Sequence, residues 1–244
     1  MALMRIENVR KQFGGLVAVD DVSIQVQKGD LLGLIGPNGS GKTTLLNVLS
    51  GHLKADSGAV FVDDKPVLGM DPAQLTRLGV VRMFQMTRVF NRMSAFDNLV
   101  VCGLAMGLSE PASYARAEEL LEELKLVPVM YLDAGQLSGG QRKLLEFGAC
   151  FMVAPHIALL DEPFAAVHPI MKETMSEFIR RRNADGQTFI LVSHDMPVIV
   201  DLCPRSVCMN AGKVLAAGLT QDVLQSEAVI EAYLGQEEGE QPHV

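Results

Sequence analysis

The sequence predicts an α/β fold with a mostly parallel core sheet, an antiparallel β subdomain and an inserted helical subdomain. Residues 4–9 and 17–26 alternate apolar and polar side chains, which is typical of amphipathic antiparallel strands. The apolar runs at residues 31–35 and 80–84 instead predict strands buried on both faces. Further strands are expected at residues 59–62, 157–160, 189–192 and 206–209. Helical patterns separate the later strands, and this alternation favours a parallel sheet covered by helices.

The helical patterns are concentrated in the middle of the chain. Short or amphipathic helices are expected at residues 43–50, 72–78 (capped by Asp71), 95–106, 111–126 and 142–152. We therefore predict a helical subdomain at about residues 88–155, within one domain spanning residues 1–236. A C-terminal helix is expected at about residues 226–235. The polar, acidic residues 237–244 are expected to be a frayed tail.

Composition and charge exclude several functional classes. The chain has 244 residues, of which 48% are hydrophobic and 20% are charged, as expected of a globular domain. Its net charge of −8 argues against nucleic acid as a partner, because phosphate backbones require a basic surface. The run Arg180, Arg181 and Arg182 is therefore interpreted as a solvated helix face rather than a binding patch.

Nothing in the sequence predicts a membrane-spanning segment. No apolar run reaches the roughly 18–20 residues that a bilayer requires, and residues 1–5 lack the apolar core of a signal peptide. A soluble, cytoplasmic protein is expected. The four cysteines have no metal-ligand spacing and are expected to be buried, reduced thiols: Cys102, Cys150, Cys203 and Cys208.

A phosphate-binding loop follows the strand at residues 31–35 and precedes a helix. The segment fits the pattern G-x₄-G-K-[ST] and consists of Gly36, Pro37, Asn38, Gly39, Ser40, Gly41, Lys42 and Thr43. Its glycines allow backbone N–H groups to approach phosphates, and the helix start adds partial positive charge. We expect Lys42 to contact the β and γ phosphates, Thr43 to bind Mg²⁺, and Thr44 to contact the α phosphate. On its own, the loop predicts a nucleoside triphosphate with Mg²⁺ as the ligand.

Two carboxylates follow the apolar strand at residues 157–160. Ligands of such folds bind at the carboxyl ends of parallel strands, where Asp161 and Glu162 are expected. Asp161 is predicted to contact Mg²⁺ through the water shell of the cation, which prefers oxygen ligands. Glu162 is predicted to be the general base that activates the attacking water.

One further segment makes the phosphate loop much more specific. It consists of Leu137, Ser138, Gly139, Gly140 and Gln141. With the loop and residues 157–163, it resembles the signature of the ATP-binding cassette (ABC) family, over nearly the whole chain. The resemblance implies a P-loop NTPase fold of the ABC type and an active ATPase. It also implies that this segment serves the nucleotide of another subunit in trans, because one chain carries only one set of motifs. A homodimer or a heterodimer of two ABC ATPase subunits is therefore expected.

The resemblance also assigns roles to four isolated residues. Gln85 matches the glutamine that senses Mg²⁺ and water beside the groove where membrane subunits dock. His194 matches the switch histidine that contacts the γ phosphate. Phe13 matches the aromatic residue that stacks on adenine, a contact worth roughly 1–3 kcal/mol by analogy with nucleic-acid bases. Val19 is expected to cover the edge of the adenine ring.

Within the family, the chain is similar to the ATPase subunits of branched-chain amino acid importers. This likeness is carried by residues 82–85, 89–90, 93, 98–99, 137–148 and 229–235. It implies transmembrane permease subunits, an indirect partnership with a substrate-binding protein, and a peripheral location at the cytoplasmic face of the plasma membrane. The predicted docking surface includes Met83, Met86, Phe90 and Met93. Urea or amide importers and the lipopolysaccharide-export ATPase stay as alternatives, and a non-transport ABC ATPase is the alternative from another class.

Two features test this interpretation. A phosphate-loop kinase or GTPase would leave residues 137–141 without a role, and the Asn-Lys-x-Asp motif that recognises guanine is missing from the sequence. His168 departs from the family pattern, which usually has aspartate or asparagine in this loop at the dimer interface. Because histidine can gain charge near neutral pH, we expect His168 to tune communication between the two ATP sites.

Overall fold

The structure is a computed structural model that describes residues 2–83 and 89–237, with side chains described for 2–83 and 89–234. The described residues form ten strands. These are β1 (Ala2–Phe13), β2 (Leu16–Gln27), β3 (Leu31–Ile35), β4 (Ser57–Val62), β5 (Lys65–Pro66), β6 (Val80–Met83), β7 (Ile157–Asp161), β8 (Thr188–Val192), β9 (Arg205–Asn210) and β10 (Lys213–Leu219).

The same residues form nine α-helices. These are α1 (Lys42–Leu49), α2 (Pro72–Arg77), α3 (Ala95–Ala105), α4 (Glu110–Glu123), α5 (Gly139–Ala149), α6 (Pro169–Ala184), α7 (Met196–Leu202), α8 (Thr220–Gln225) and α9 (Glu227–Glu237). The chain divides into two compact units, one of Met1–Leu75 with Thr188–Val244 and the other of Thr76–Gln187.

An antiparallel sheet of order β2-β1-β4-β5 opens the first unit. Strand β1 pairs with β2 and β4, as the alternating pattern predicts, but both β1 and β2 are longer than expected. Four shifts of register interrupt the β1–β2 ladder, but the pairing resumes after each shift. It continues to Phe13 and Leu16, beyond the residues that alternate between apolar and polar. The paired strands therefore carry Phe13 to the tip of a hairpin.

The first unit also contains the parallel strands β3, β8 and β9, together with one antiparallel edge strand, β10. Strand β3, whose five residues are all buried, pairs in parallel with β8 on one side and β9 on the other. Strand β10 adds an antiparallel edge to β9. Leu34 is paired with Val192, so the loops that follow β3 and β8 leave the same edge of the sheet.

Within residues 76–83 and 89–187, the second unit contains a parallel strand pair and four α-helices. Strands β6 and β7 are in register from Val80 with Ile157 to Met83 with Leu160. Helices α3, α4 and α5 lie inside the predicted helical range, whose limits at about 88–155 stay a prediction. Serine side chains cap the three helices, because Ser94, Ser109 and Ser138 accept hydrogen bonds from backbone N–H groups three residues later.

An aromatic cluster joins α5 to α6. The ring centroids of Phe147, Phe151 and Phe178 lie 4.8–5.2 Å apart in tilted or edge-on geometry. All three side chains are fully buried. Aromatic pairs of this kind contribute about 0.5–1.5 kcal/mol each beyond the burial of their area. They fix the helix that begins at the signature segment against its neighbour.

The arginine run on α6 is occupied by acidic neighbours. Arg182 contacts Glu123 of α4 at 2.5 Å, Arg181 contacts the same carboxylate at 3.4 Å, and Arg180 contacts Glu173 at 3.4 Å. The positive charges of the three arginines are thus paired with carboxylates of the same unit. They favour the interpretation of this run as a helix face rather than a site for nucleic acid.

All four cysteines are free thiols, and three of them are buried. Burial raises the pKa of Cys203 to about 12 and that of Cys208 to about 11. These two thiols therefore stay protonated and unreactive near neutral pH. Among residues 2–83 and 89–237, no helix is both long and apolar enough to cross a bilayer.

Candidate functional site

The phosphate loop has the backbone conformation that its glycines predict. Gly36 and Gly41 have φ angles of +140° and +103°. A Cβ atom at Gly36 would lie 2.1 Å from the Met209 carbonyl oxygen, and one at Gly41 would lie 2.2 Å from that of Ala18. Only glycine fits these positions, because the neighbouring atoms are backbone. Helix α1 begins directly after Gly41 and has no side-chain cap, so the helix start and the loop form a cradle suited to phosphate.

The side chain of Lys42 folds back over this cradle. Its Nζ donates hydrogen bonds to the carbonyl oxygens of Gly36 at 2.7 Å and Pro37 at 2.9 Å, and to Ser40 Oγ at 3.2 Å. A half-buried ammonium group held at the rim of a glycine loop is placed to exchange these weak acceptors for phosphate oxygens.

The remaining loop residues divide into buried and exposed positions. Pro37 and Ser40 are buried, whereas Asn38, Gly39 and Thr43 are exposed. Thr44 is half-buried on the first turn of α1. The Thr43 hydroxyl is therefore open to a ligand from solvent, which a metal-binding role requires.

His194 lies on the same sheet edge as the phosphate loop. Leu34 of β3 is paired with Val192 of β8, and Gly36 and His194 each lie two residues beyond that pair. His194 is exposed, in the loop between β8 and α7. The parallel pairing thus explains how residues far apart in sequence reach one edge of the first unit.

Phe13 and Val19 have opposite environments. The Phe13 ring is 47% exposed at the end of β1, and the Lys11 ammonium lies 5.5 Å from its centroid. Val19 is fully buried in β2. Leu16, paired with Phe13 across the hairpin, is 67% exposed and is the apolar neighbour that the sequence did not single out. The tip of this hairpin therefore offers an apolar surface to a planar base, and the structure places Phe13 and Leu16 on it rather than Val19.

Asp161 ends strand β7 in a buried position with an arginine partner. Its Oδ2 accepts a hydrogen bond from Arg82 Nη2 at 2.8 Å, and the two side chains are 4% (Arg82) and 2% (Asp161) exposed. Asp161 Oδ1 has no hydrogen-bond partner among the described residues. A buried carboxylate oxygen without a partner is unusual, and a cation would satisfy it. The sequence analysis did not identify Arg82 as part of the site.

The residue after Asp161 has strained backbone geometry. Glu162 has a φ angle of +51°, in the left-handed region that residues other than glycine seldom adopt. Such conformations cost roughly 1–3 kcal/mol and concentrate at functional sites. Ala166, in the following loop, also has a positive φ of +57°. The strand end therefore turns sharply at the predicted general base.

The signature segment begins α5 with an internally bonded cap. Ser138 Oγ accepts from Gln141 N at 3.2 Å, and Gln141 Oε1 accepts from Ser138 N at 2.9 Å. Ser138 and Gly139 are exposed, while Leu137 is buried. A Cβ at Gly140 would lie 2.5 Å from Met171 Sδ, so this glycine allows α6 to approach. The segment presents an exposed, capped helix start.

Gln85 and Met86 lie outside the described residues, so their predicted roles stay predictions. The segment that follows is held by a buried amide, because Asn98 Oδ1 accepts from Phe90 N and its Nδ2 donates to the carbonyl oxygens of Phe90 and Ser94. Phe90 is 56% exposed and Met83 is buried. Of the described residues predicted for docking, Phe90 has the exposure that a contact surface needs.

His168 has a defined local role. It is the N-cap residue of α6, where its Nδ1 accepts from Ile170 N at 3.4 Å, and it is exposed. The aspartate or asparagine expected here from the family pattern is also a good N-cap residue. Histidine therefore keeps the capping function, although its hydrogen bond is long.

A tyrosine near the C-terminus contacts the phosphate loop, which the sequence analysis did not anticipate. Tyr233 Oη accepts a hydrogen bond from Gly36 N at 2.8 Å. Tyr233 lies in α9, within the range predicted to be a C-terminal helix. The contact spans 197 positions in the chain, so no local pattern indicates it.

These features define an ATP-binding cassette ATPase. The structure resembles a nucleotide-free ATP-binding cassette from an ABC transporter, with a TM-score of 0.87 and 35% identity over 96% of this chain and 99% of the other. It also resembles the ADP conformation of such a cassette, with a TM-score of 0.85 and 36% identity over the same shares. The fold class predicted from the sequence is confirmed.

The chain belongs to the ABC transporter family, whose model matches residues 19–165. It is 36% identical to the probable branched-chain amino acid transport ATP-binding protein LivG of Methanocaldococcus jannaschii, over 97% of this chain and 98% of that protein. It is 34% identical to the high-affinity branched-chain amino acid transport ATP-binding protein LivG of Escherichia coli, over 96% and 98%. The predictions of family membership and ATPase activity are thereby confirmed.

Proposed function

We propose that this protein is the ATP-hydrolysing subunit of an importer for branched-chain amino acids. The observation that carries the ATPase part is the phosphate loop, in which two obligatory glycines and Lys42 form a phosphate cradle before an uncapped helix. The likeness to transport proteins over nearly the whole chain supports the importer and its substrate class.

ATP binding follows from groups of the first unit. The amides at the start of α1 and the Lys42 ammonium bind the phosphate chain, and Thr44 adds a hydroxyl near its inner end. The exposed ring of Phe13 stacks on adenine, with Leu16 beside it. Charge and stacking together orient the γ phosphate outward from the loop.

The proposed metal is Mg²⁺, and the donors present fit it. Thr43 offers an exposed hydroxyl, Asp161 offers a carboxylate oxygen without a described partner, and Gln85 is the third predicted ligand. Oxygen donors of this kind suit Mg²⁺. When bound, the cation withdraws charge from the transferring phosphoryl group.

Hydrolysis requires a water molecule aligned with the γ phosphorus. Glu162 accepts a proton from this water as its oxygen attacks, and the bond to the β–γ bridging oxygen breaks, giving ADP and phosphate. His194 donates a hydrogen bond to the γ phosphate and holds it during the reaction. Gln85 helps to orient the water.

We propose that two such subunits act together, each supplying the signature segment to the ATP of the other. Closing of the pair pulls on permease subunits that dock near Gln85, Met86 and Phe90. This places the protein at the cytoplasmic face of the membrane without crossing it. The substrate-binding protein acts only through the permease.

The experiment is Glu162→Gln in the ATPase, assayed alone and with its copurified permease subunits in vesicles. Because amide cannot accept the proton, hydrolysis is expected to fall about 10²- to 10⁴-fold while ATP binding persists. Uptake of radiolabelled leucine should stop in parallel. The vesicles also contain the substrate-binding protein. The proposal is wrong about the substrate if such vesicles, with the unmodified ATPase, hydrolyse ATP without accumulating leucine, isoleucine or valine.

A further inference from the structure

The buried ion pair between Arg82 and Asp161 is a costly feature of the second unit. Both side chains are almost fully inaccessible, and Arg82 Nη2 lies 2.8 Å from Asp161 Oδ2. Removing two charges from water is unfavourable, and buried pairs often contribute little net stability. A buried ion pair at the end of β7, the strand that carries the predicted metal ligand, therefore suggests a functional role.

The register of two parallel strands produces the pair. Arg82 of β6 lies opposite Leu159 of β7, two residues before Asp161. Residues two apart on a strand share a face, so Leu159 and Asp161 are on one side of the sheet, with Arg82 beside them. The long arginine side chain extends along this face to the end of the neighbouring strand. A shift of one residue in register would move Arg82 to the other face.

Arg82 bonds only one of the two carboxylate oxygens of Asp161. Asp161 Oδ2 accepts from Arg82, whereas Oδ1 is buried and has no hydrogen-bond partner in the described part of the chain. An anchored Oδ2 restricts rotation of the carboxylate about its last bond. It therefore determines where Oδ1 is held before any ligand binds.

We propose that Arg82 is a positioning residue for the metal site: it holds Asp161 by Oδ2 so that Oδ1 is preset for the Mg²⁺ of bound ATP. This inference rests on the proposed role of Asp161 as a metal ligand. Partners behind a metal ligand commonly change metal affinity 10- to 100-fold when removed, because they fix the ligand's orientation.

The guanidinium group matters here for its shape as well as its charge. Arginine presents fixed donors in a plane, whereas lysine is a flexible point charge. Arg82→Lys therefore keeps the buried positive charge but replaces the fixed, planar donors with a rotatable ammonium group. Arg82→Gln keeps a donor and removes the charge. Arg205→Lys is the matched control, since Arg205 also pairs with an aspartate, contacting Asp30 at 2.7 Å within the first unit.

The experiment measures Mn²⁺ binding by electron paramagnetic resonance, in the presence of a nonhydrolysable ATP analogue, for these variants and Asp161→Asn. Folding is verified by thermal unfolding. It is also verified by binding of the ATP analogue in EDTA, which removes the metal and leaves only the metal-independent binding. Arg82→Lys is expected to bind the analogue normally in EDTA and to need at least tenfold more Mn²⁺ for half-saturation. Arg205→Lys should match the unmodified protein.

The outcomes separate this inference from the proposed function. If Asp161→Asn binds Mn²⁺ as tightly as the unmodified protein, the metal-ligand role of Asp161 fails, and this inference fails with it. If Asp161→Asn is impaired and Arg82→Lys is not, only the role of Arg82 is overturned. A lower Mn²⁺ requirement in Arg82→Lys also overturns it, because arginine would then compete with the cation. If Arg82→Gln does not fold, Arg82→Lys decides the result.

Discussion

Two helices of this protein begin at glycine-rich segments, and their first turns are built differently. Helix α1 starts after Gly41, which has a φ angle of +103° and supplies no side-chain cap. Helix α5 starts after Ser138, whose side chain forms a reciprocal capping box with Gln141. Both are predicted phosphate-binding motifs, yet only the second has side-chain caps that complete its first turn.

The difference indicates different tasks. An uncapped helix start needs an external anion for its backbone donors, so the phosphate loop is suited to hold ATP within a single chain. The capped start of α5 is stable without a ligand, and its exposed serine hydroxyl still has a proton to donate. We infer that the phosphate loop supplies most of the ATP affinity and that the signature segment supplies a contact made later.

Lys42→Met tests the first half of this comparison and has the largest expected effect. The ammonium replaces its bonds to Gly36, Pro37 and Ser40 with bonds to phosphate, and charge-assisted bonds contribute roughly 1.5–3 kcal/mol each. ATP affinity should fall about 100-fold or more, as measured by isothermal titration calorimetry. Lys213→Met, which removes an exposed lysine paired with Asp20 at 3.3 Å, is the control. Equal losses in both variants would contradict the comparison.

Gly41→Ala and Gly139→Ala contrast the two segments directly. A Cβ at Gly41 would lie 2.2 Å from a backbone oxygen at a positive φ, whereas one at Gly139 has no atom within 4 Å. We expect Gly41→Ala to lower the free energy of unfolding by about 1–3 kcal/mol, and Gly139→Ala to change it by less than about 0.5 kcal/mol. Urea denaturation measures both. A tolerant Gly41 would show that the loop geometry is not rigid.

Replacing Ser138 separates its capping role from its predicted contact with phosphate. Ser138→Ala removes the cap and should cost about 1 kcal/mol, while Ser138→Asp keeps a cap acceptor. Both variants lose the hydroxyl donor, and aspartate adds repulsion toward phosphate. Ser138→Asp is therefore expected to be as stable as the unmodified protein but deficient in turnover, with ATP affinity of the isolated subunit unchanged. Normal turnover in Ser138→Asp would exclude a phosphate contact.

The sequence predicted the parts of the fold that local patterns determine. The glycine loop, the buried strand β3 and the Asp161–Glu162 pair are continuous in sequence, and each lies where its pattern indicated. Strand β10 was not predicted, because its larger apolar residues do not fall on the less exposed face. Leu215 and Leu219 are exposed, whereas the half-buried positions include the small residues Ala216 and Gly218. Strand ends were also misjudged where register shifts extend β1 and β2.

The contacts that sequence reasoning missed depend on tertiary register. Arg82 reaches Asp161 only because β6 and β7 pair in one particular alignment, and Tyr233 reaches Gly36 across most of the chain. Val19 matched a family position, but it is fully buried in β2, whereas Leu16 at the hairpin tip is exposed. These contacts and exposures depend on which distant segments pack together in the fold. A short stretch of sequence does not carry that information.

The central claim is that the signature segment of one subunit completes the phosphate loop of another. The most direct measurement mixes Lys42→Met, which has an intact signature segment, with Ser138→Asp, which has an intact phosphate loop. Each variant alone is expected to hydrolyse ATP slowly. In an equal mixture about half of the pairs contain one copy of each variant, and each such pair has one complete site of two. Turnover of the mixture should therefore rise toward about a quarter of that of the unmodified protein. A mixture that only sums the two separate rates at every protein concentration would contradict the account.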